Sequence, residues 1–146
     1  MISSRGLAGA LLLAYGLVVA FIVFWPTADV ATGSVLGIWT LIQRIGAPGW
    51  ISAWAIEFVT NALMFMPLSF LGSTFKPHWG WRHWLVAGLA GSSAIELTQW
   101  LLLSGRSAQL ADVASNTLGA LAGYGVVVAR RRTEALSASA GDHQAR

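Results

Sequence analysis

Residues 6–25 form a twenty-residue stretch without one charged side chain, GLAGALLLAYGLVVAFIVFW, stopped by Pro26. At 1.5 Å per residue a helix of that length reaches about 30 Å, the thickness of a bilayer's hydrocarbon core. The run is longer than a usual signal-peptide core. After Pro26, Asp29 and Val30 stand where a cleavage site would need small residues. The segment is therefore expected to remain as a membrane anchor, the first of four transmembrane helices.

Composition agrees, because 55% of the 146 residues are hydrophobic and 10% are charged, outside the usual range for a soluble domain. Further spans are expected at about 54–71, 84–103 and 109–129. Between spans one and two, residues 31–52 place Val35, Ile38, Trp39, Ile42 and Ile45 at helical spacing. Gln43, Arg44 and the breaker Gly46-Ala47-Pro48-Gly49 oppose a crossing there, so a short interfacial helix is predicted. The fold class is all-α membrane protein, with one domain over residues 1–129 and a basic tail, 130–146, expected to be disordered.

Arg5, Lys76, Arg82, Arg130, Arg131, Arg132 and Arg146 fall on one side of such a bundle and only Arg44 and Arg106 on the other. The positive-inside rule then puts both termini in the cytoplasm. Cysteine is absent, which excludes disulfides and thiolate metal sites. The basic residues lie in loops and tail without the aromatic or glycine pattern of nucleic-acid binders, so nucleic acid is not an expected partner. His78 and His83 share a loop with no third ligand, and neither a metal nor a cofactor is expected.

Three of the six acids, Glu57, Glu96 and Asp112, lie in or at the edge of apolar spans. A carboxylate at mid-membrane costs about 2.5–3.5 kcal/mol on insertion scales, so each needs compensation. Glu57 and Asn61 are four apart, Ser92, Glu96 and Gln99 follow at four and three, and Asp112 and Asn116 are four apart. Each span thus carries one polar stripe. With the orientation above, Glu57, Glu96, Gln99, Asp112 and Asn116 all fall within about 10 Å of the outer boundary. Lipid offers no hydrogen-bond partner, so the stripes are expected to face inward together, with Arg106 as counter-charge. Glu57 or Asp112 alone could simply meet the positive end of a helix. Glu96, far from the start of its own helix, cannot. A purely structural hydrogen-bond network is the competing reading.

Gly119 and Gly123 make a small-xxx-small pair that permits close helix approach, either within the chain or as a homo-oligomer contact. Pro67 is expected to kink span two and free the carbonyl of Leu63.

Taken together, Glu57-x-x-x-Asn61-x-x-x-Phe65-x-Pro67-Leu68, Glu96-x-x-Gln99, Arg106 and Asp112-x-x-x-Asn116-Thr117-Leu118-Gly119-Ala120 resemble the VanZ-like family of bacterial membrane proteins. The resemblance covers residues 54–124. Members commonly carry an aspartate between the loop arginine and the motif aspartate, where this chain has Gln109, Leu110 and Ala111. The resemblance implies the bacterial cytoplasmic membrane and a link to low-level resistance to teicoplanin, a lipid-tailed glycopeptide.

On this reading the protein binds a lipid-linked cell-wall precursor or a lipoglycopeptide through Glu57, Asn61, Glu96, Gln99, Arg106, Asp112 and Asn116, without catalysis. A second reading is an intramembrane enzyme acting on a lipid head group, with Glu57, Glu96 or Asp112 as general base. A third is a small proton-coupled transporter subunit, for which four spans would make a thin-walled pathway.

Overall fold

The computed structural model describes residues 4–26, 29–103 and 108–144. Within them the chain forms five helices: α1 Ser4–Val23, α2 Asp29–Arg44, α3 Ala53–Phe75, α4 Trp81–Leu102 and α5 Leu110–Gln144. Local chemistry sets several of the boundaries. Ser52 caps α3, its hydroxyl accepting the Ala55 amide at 3.2 Å. At the start of α4 the ring Nδ1 of His83 accepts the Gly80 amide at 3.2 Å. That gives His83 a capping role. α2 ends at Arg44, and Gly46 follows at φ 88°, a left-handed turn position suited to glycine.

Among the described residues three helices are long and apolar enough to cross a membrane, Arg5–Val23, Ala53–Phe75 and Trp81–Leu102. The expected fourth span lies in α5, which is less apolar because it carries Asp112, Ser115, Asn116 and Thr117 in its first turns. Those residues are accommodated by burial: Ser115, Asn116 and Thr117 are all closed off from the surface.

Close backbone approach sets the packing order. The α5 backbone at Gly119 lies against Ala62, and at Gly123 against Met66 and Ser69, both on α3. On its other flank Gly88 of α4 lies against Thr117 and Ala120. The small-xxx-small pair is therefore taken up within the chain. Residue numbers rise together along α3 and α5, from Asn61 beside Asp112 to Ser73 beside Arg131, so these helices are parallel. α4 runs opposite to them, with Glu96 beside Gln109 and Gly88 beside Thr117. α1 also runs opposite to α3: Gly9 meets Phe75, and Val19 and Val23 cluster with Phe65. The Tyr15 hydroxyl donates to the Met64 carbonyl at 3.0 Å, next to the irregularity expected at Pro67. α2 is tethered where Trp39 Nε1 and Gln43 Nε2 both donate to the Ile51 carbonyl, at 2.9 and 3.2 Å.

Burial is inverted relative to a soluble domain. Ser69, Ser73, Ser92, Glu96, Gln99, Ser115, Asn116 and Thr117 are buried, while Leu13, Leu17, Phe21, Val59, Leu63, Val86 and Leu97 are exposed. Apolar side chains outside and polar ones inside suit a helix bundle solvated by lipid. One expectation is corrected. The segment after Arg132 continues α5 to Gln144 instead of losing structure. Its small residues include Ala135, Ala138 and Ala140, the best helix formers. An Arg130–Glu134 pair at 2.7 Å, one turn apart, adds to this.

Candidate functional site

The alternating directions bring the start of α3, the end of α4 and the start of α5 to one end of the bundle, and the polar stripes meet there. Asn61 Nδ2 donates to Asp112 Oδ1 at 2.9 Å, joining α3 to α5. Asn116 Nδ2 donates to Ser92 Oγ at 2.9 Å, and Ser92 Oγ donates in turn to the Asp112 carbonyl at 3.4 Å. Ser115 Oγ donates to the same carbonyl at 3.1 Å. The α4–α5 contact is therefore closed by a short relay, with Ser92 fully buried at its centre.

Glu96 differs from expectation. Its Oε2 accepts the backbone amide of Gln109 at 2.7 Å, immediately before α5. It does engage a helix start, that of its neighbour, where unpaired amides and the helix dipole favour a negative charge. Gln99 Nε2 donates at 2.7 Å to the carbonyl of Val23, the last residue of α1, which has no partner within its own helix. A pairing between residues 76 positions apart leaves no trace in periodicity.

These groups surround a cavity of about 80 Å³. Its polar wall is Glu57, Asn61, Glu96, Gln99, Asp112 and Asn116, and its apolar wall Ile22, Val23, Met64 and Ile95. Six of the seven residues proposed from sequence are thus brought together, while Arg106 lies outside the described residues. The contribution of α1 has no signal in the sequence. Ile22 and Val23 belong to a helix that reads as a uniform anchor, and only packing reveals that its end closes the site.

The site is tight and rich in acceptors. Glu96 is 6% exposed and Asn116 4%. The Asn116 Oδ1 atom has no hydrogen-bond partner among the described residues. Such a volume holds a few water molecules or one small polar group of a larger ligand. Among the described residues no three His, Asp or Glu side chains converge closely enough to hold a metal ion. Two larger hollows, about 580 and 610 Å³, lie along outward apolar surfaces of α4 and of α1 with α3.

The protein-family model described as VanZ/LLP1 matches residues 12–131. The match begins inside α1 and contains every residue of the cavity wall, so it reaches beyond the motif-bearing residues 54–124. No curated protein and no solved structure matches the chain.

Proposed function

The chain belongs to the VanZ/LLP1 family, and on that premise we propose that it binds an amphiphilic ligand of the bacterial cell envelope, a lipid-linked precursor or a lipopeptide, through its polar cavity. The observation that carries this reading is the convergence of Glu57, Asn61, Glu96, Gln99, Asp112 and Asn116 on one cavity at one end of an apolar bundle. In lipid such a concentration of polar groups is costly unless it is used or fully satisfied, and Asn116 Oδ1 is unsatisfied within the described chain.

The same reading has α5 crossing as a fourth span beside its parallel partner α3, with α2 lying in the interface. Both termini are then cytoplasmic, and the site opens toward the outer leaflet of the plasma membrane, where lipid-linked precursors and glycopeptides are met. Arg106, in the segment before α5, is the residue proposed to meet a phosphate or carboxylate of the ligand. A contribution to teicoplanin-type resistance would follow from capture of a lipid-tailed glycopeptide or of a precursor at that surface.

The test is glycopeptide susceptibility in a deletion strain carrying wild type, Glu57→Gln or Arg106→Ala, with the membrane abundance of each protein measured in parallel. Loss of resistance at unchanged abundance is the expected result. Variants that are equally abundant and equally protective would show that the cavity is not the site of this function.

A further inference from the structure

We propose that the cavity receives a primary ammonium group, which names the ligand chemistry of the site and rests on the binding function proposed above. Three amide nitrogens on the wall already donate: Asn61 to Asp112, Gln99 to Val23 and Asn116 to Ser92. Among the described residues no lysine, arginine or histidine lines the cavity. Two acceptors on the described wall are met by none of these donors, the Asn116 amide oxygen and the Glu57 carboxylate.

The orientation of Asn116 is fixed by its neighbour. Ser92 has one hydroxyl proton, directed at the Asp112 carbonyl, so it can only accept from Asn116. The Asn116 amide therefore turns its NH₂ toward Ser92 and its oxygen away, and that oxygen, on a residue 4% exposed, has no partner among the described residues. A buried acceptor left in this state is destabilising and is satisfied only by a donor that enters from elsewhere. Glu57 stands on the same wall, and among the described residues no hydrogen bond reaches its carboxylate.

A primary ammonium matches these requirements in three respects. It carries three N–H donors and no acceptor. It is a compact positive charge, which the Glu57 carboxylate on the wall would attract. About 80 Å³ admits it with the adjoining methylene but not the rest of a head group, which would remain outside. Two sources carry this chemistry, an aminophospholipid head group and the free amine of a lipopeptide.

The experiment uses the full-length protein in phosphatidylcholine nanodiscs, with binding read by native mass spectrometry. One ligand pair is phosphatidylethanolamine and the same lipid with a hydroxyl in place of its ammonium. The other is an amine-bearing lipopeptide and its deaminated form. The amine member of at least one pair should bind tenfold or more tightly than its counterpart, and the pair that discriminates identifies the source. Glu57→Gln should bring that ratio close to one. Equal binding of both members in each pair would overturn the ammonium assignment while leaving a ligand site intact. Absence of binding by all four would overturn the assignment and the binding function together. A ratio that survives Glu57→Gln would also overturn the assignment to this cavity.

Discussion

Replacing Gly119 by alanine should destabilise the bundle, although alanine is the better helix former. A β-carbon at Gly119 would stand 2.8 Å from the Ala62 carbonyl carbon and 2.9 Å from its Cα. Carbon atoms rest at about 3.5–4.0 Å, so α3 and α5 must part by roughly 1 Å. The obstructing atoms are backbone and have no rotamer to escape into. Overpacking of this kind costs about 1–3 kcal/mol, against a gain of at most about 1 kcal/mol in helix propensity. Gly125 lies on the same helix, and a β-carbon there would meet nothing within 4 Å. Gly125→Ala should therefore keep the propensity gain without the clash. Unfolding of both variants in identical detergent micelles should move in opposite directions from wild type. Separation at Gly119 would also stretch the 2.9 Å Asn61–Asp112 bond, so ligand binding should fall in Gly119→Ala and hold in Gly125→Ala. Wild-type stability in Gly119→Ala, or an equal loss in both variants, would refute the packing of α5 on α3.

Two further outcomes concern the relay and the closure of the site. Ser92→Ala removes the hydroxyl between Asn116 and the Asp112 carbonyl, leaving a buried amide donor unmet, and should cost about 1–3 kcal/mol in the same unfolding measurement. Gln99→Met keeps the volume but releases the Val23 carbonyl. It should speed hydrogen exchange at the end of α1 relative to the interior of α4.

The amphipathic spacings carried much of the architecture. Asn61 and Asp112, or Ser92 and Asn116, each sit on a predictable face, and burial of those faces against one another follows from the absence of partners in lipid. The partner atoms did not follow. Gln99 is engaged by a backbone carbonyl of α1, and Glu96 by a backbone amide before α5. Backbone groups are the same at every position, so a sequence gives no sign of which one a side chain will meet. The helical continuation to Gln144 was obscured for another reason: Ser, Ala and Gly in 137–141 read as a loop by composition, whereas alanine propensity favours continuation of an existing helix.

The three carboxylates call for separate explanations. Glu96 holds the amide of Gln109, and Asp112 lies in the first turn of α5 and accepts from Asn61. Both therefore meet the positive end of α5, where a negative charge is favourable. A structural network is a sufficient account of these two. Glu57 is different. It lies beyond the first turn of α3, where the dipole's influence has faded, and no described hydrogen bond reaches its carboxylate. A carboxylate at the wall of a confined polar cavity that no described hydrogen bond ties to the scaffold is the one whose removal separates binding from stability. Glu57→Gln should therefore cause no loss of stability while ligand binding falls, and Glu96→Gln should lower stability by weakening a charge-assisted bond to the start of α5. If Glu57→Gln destabilises the bundle as much as Glu96→Gln does, all three acids belong to the scaffold and the cavity is a by-product of packing.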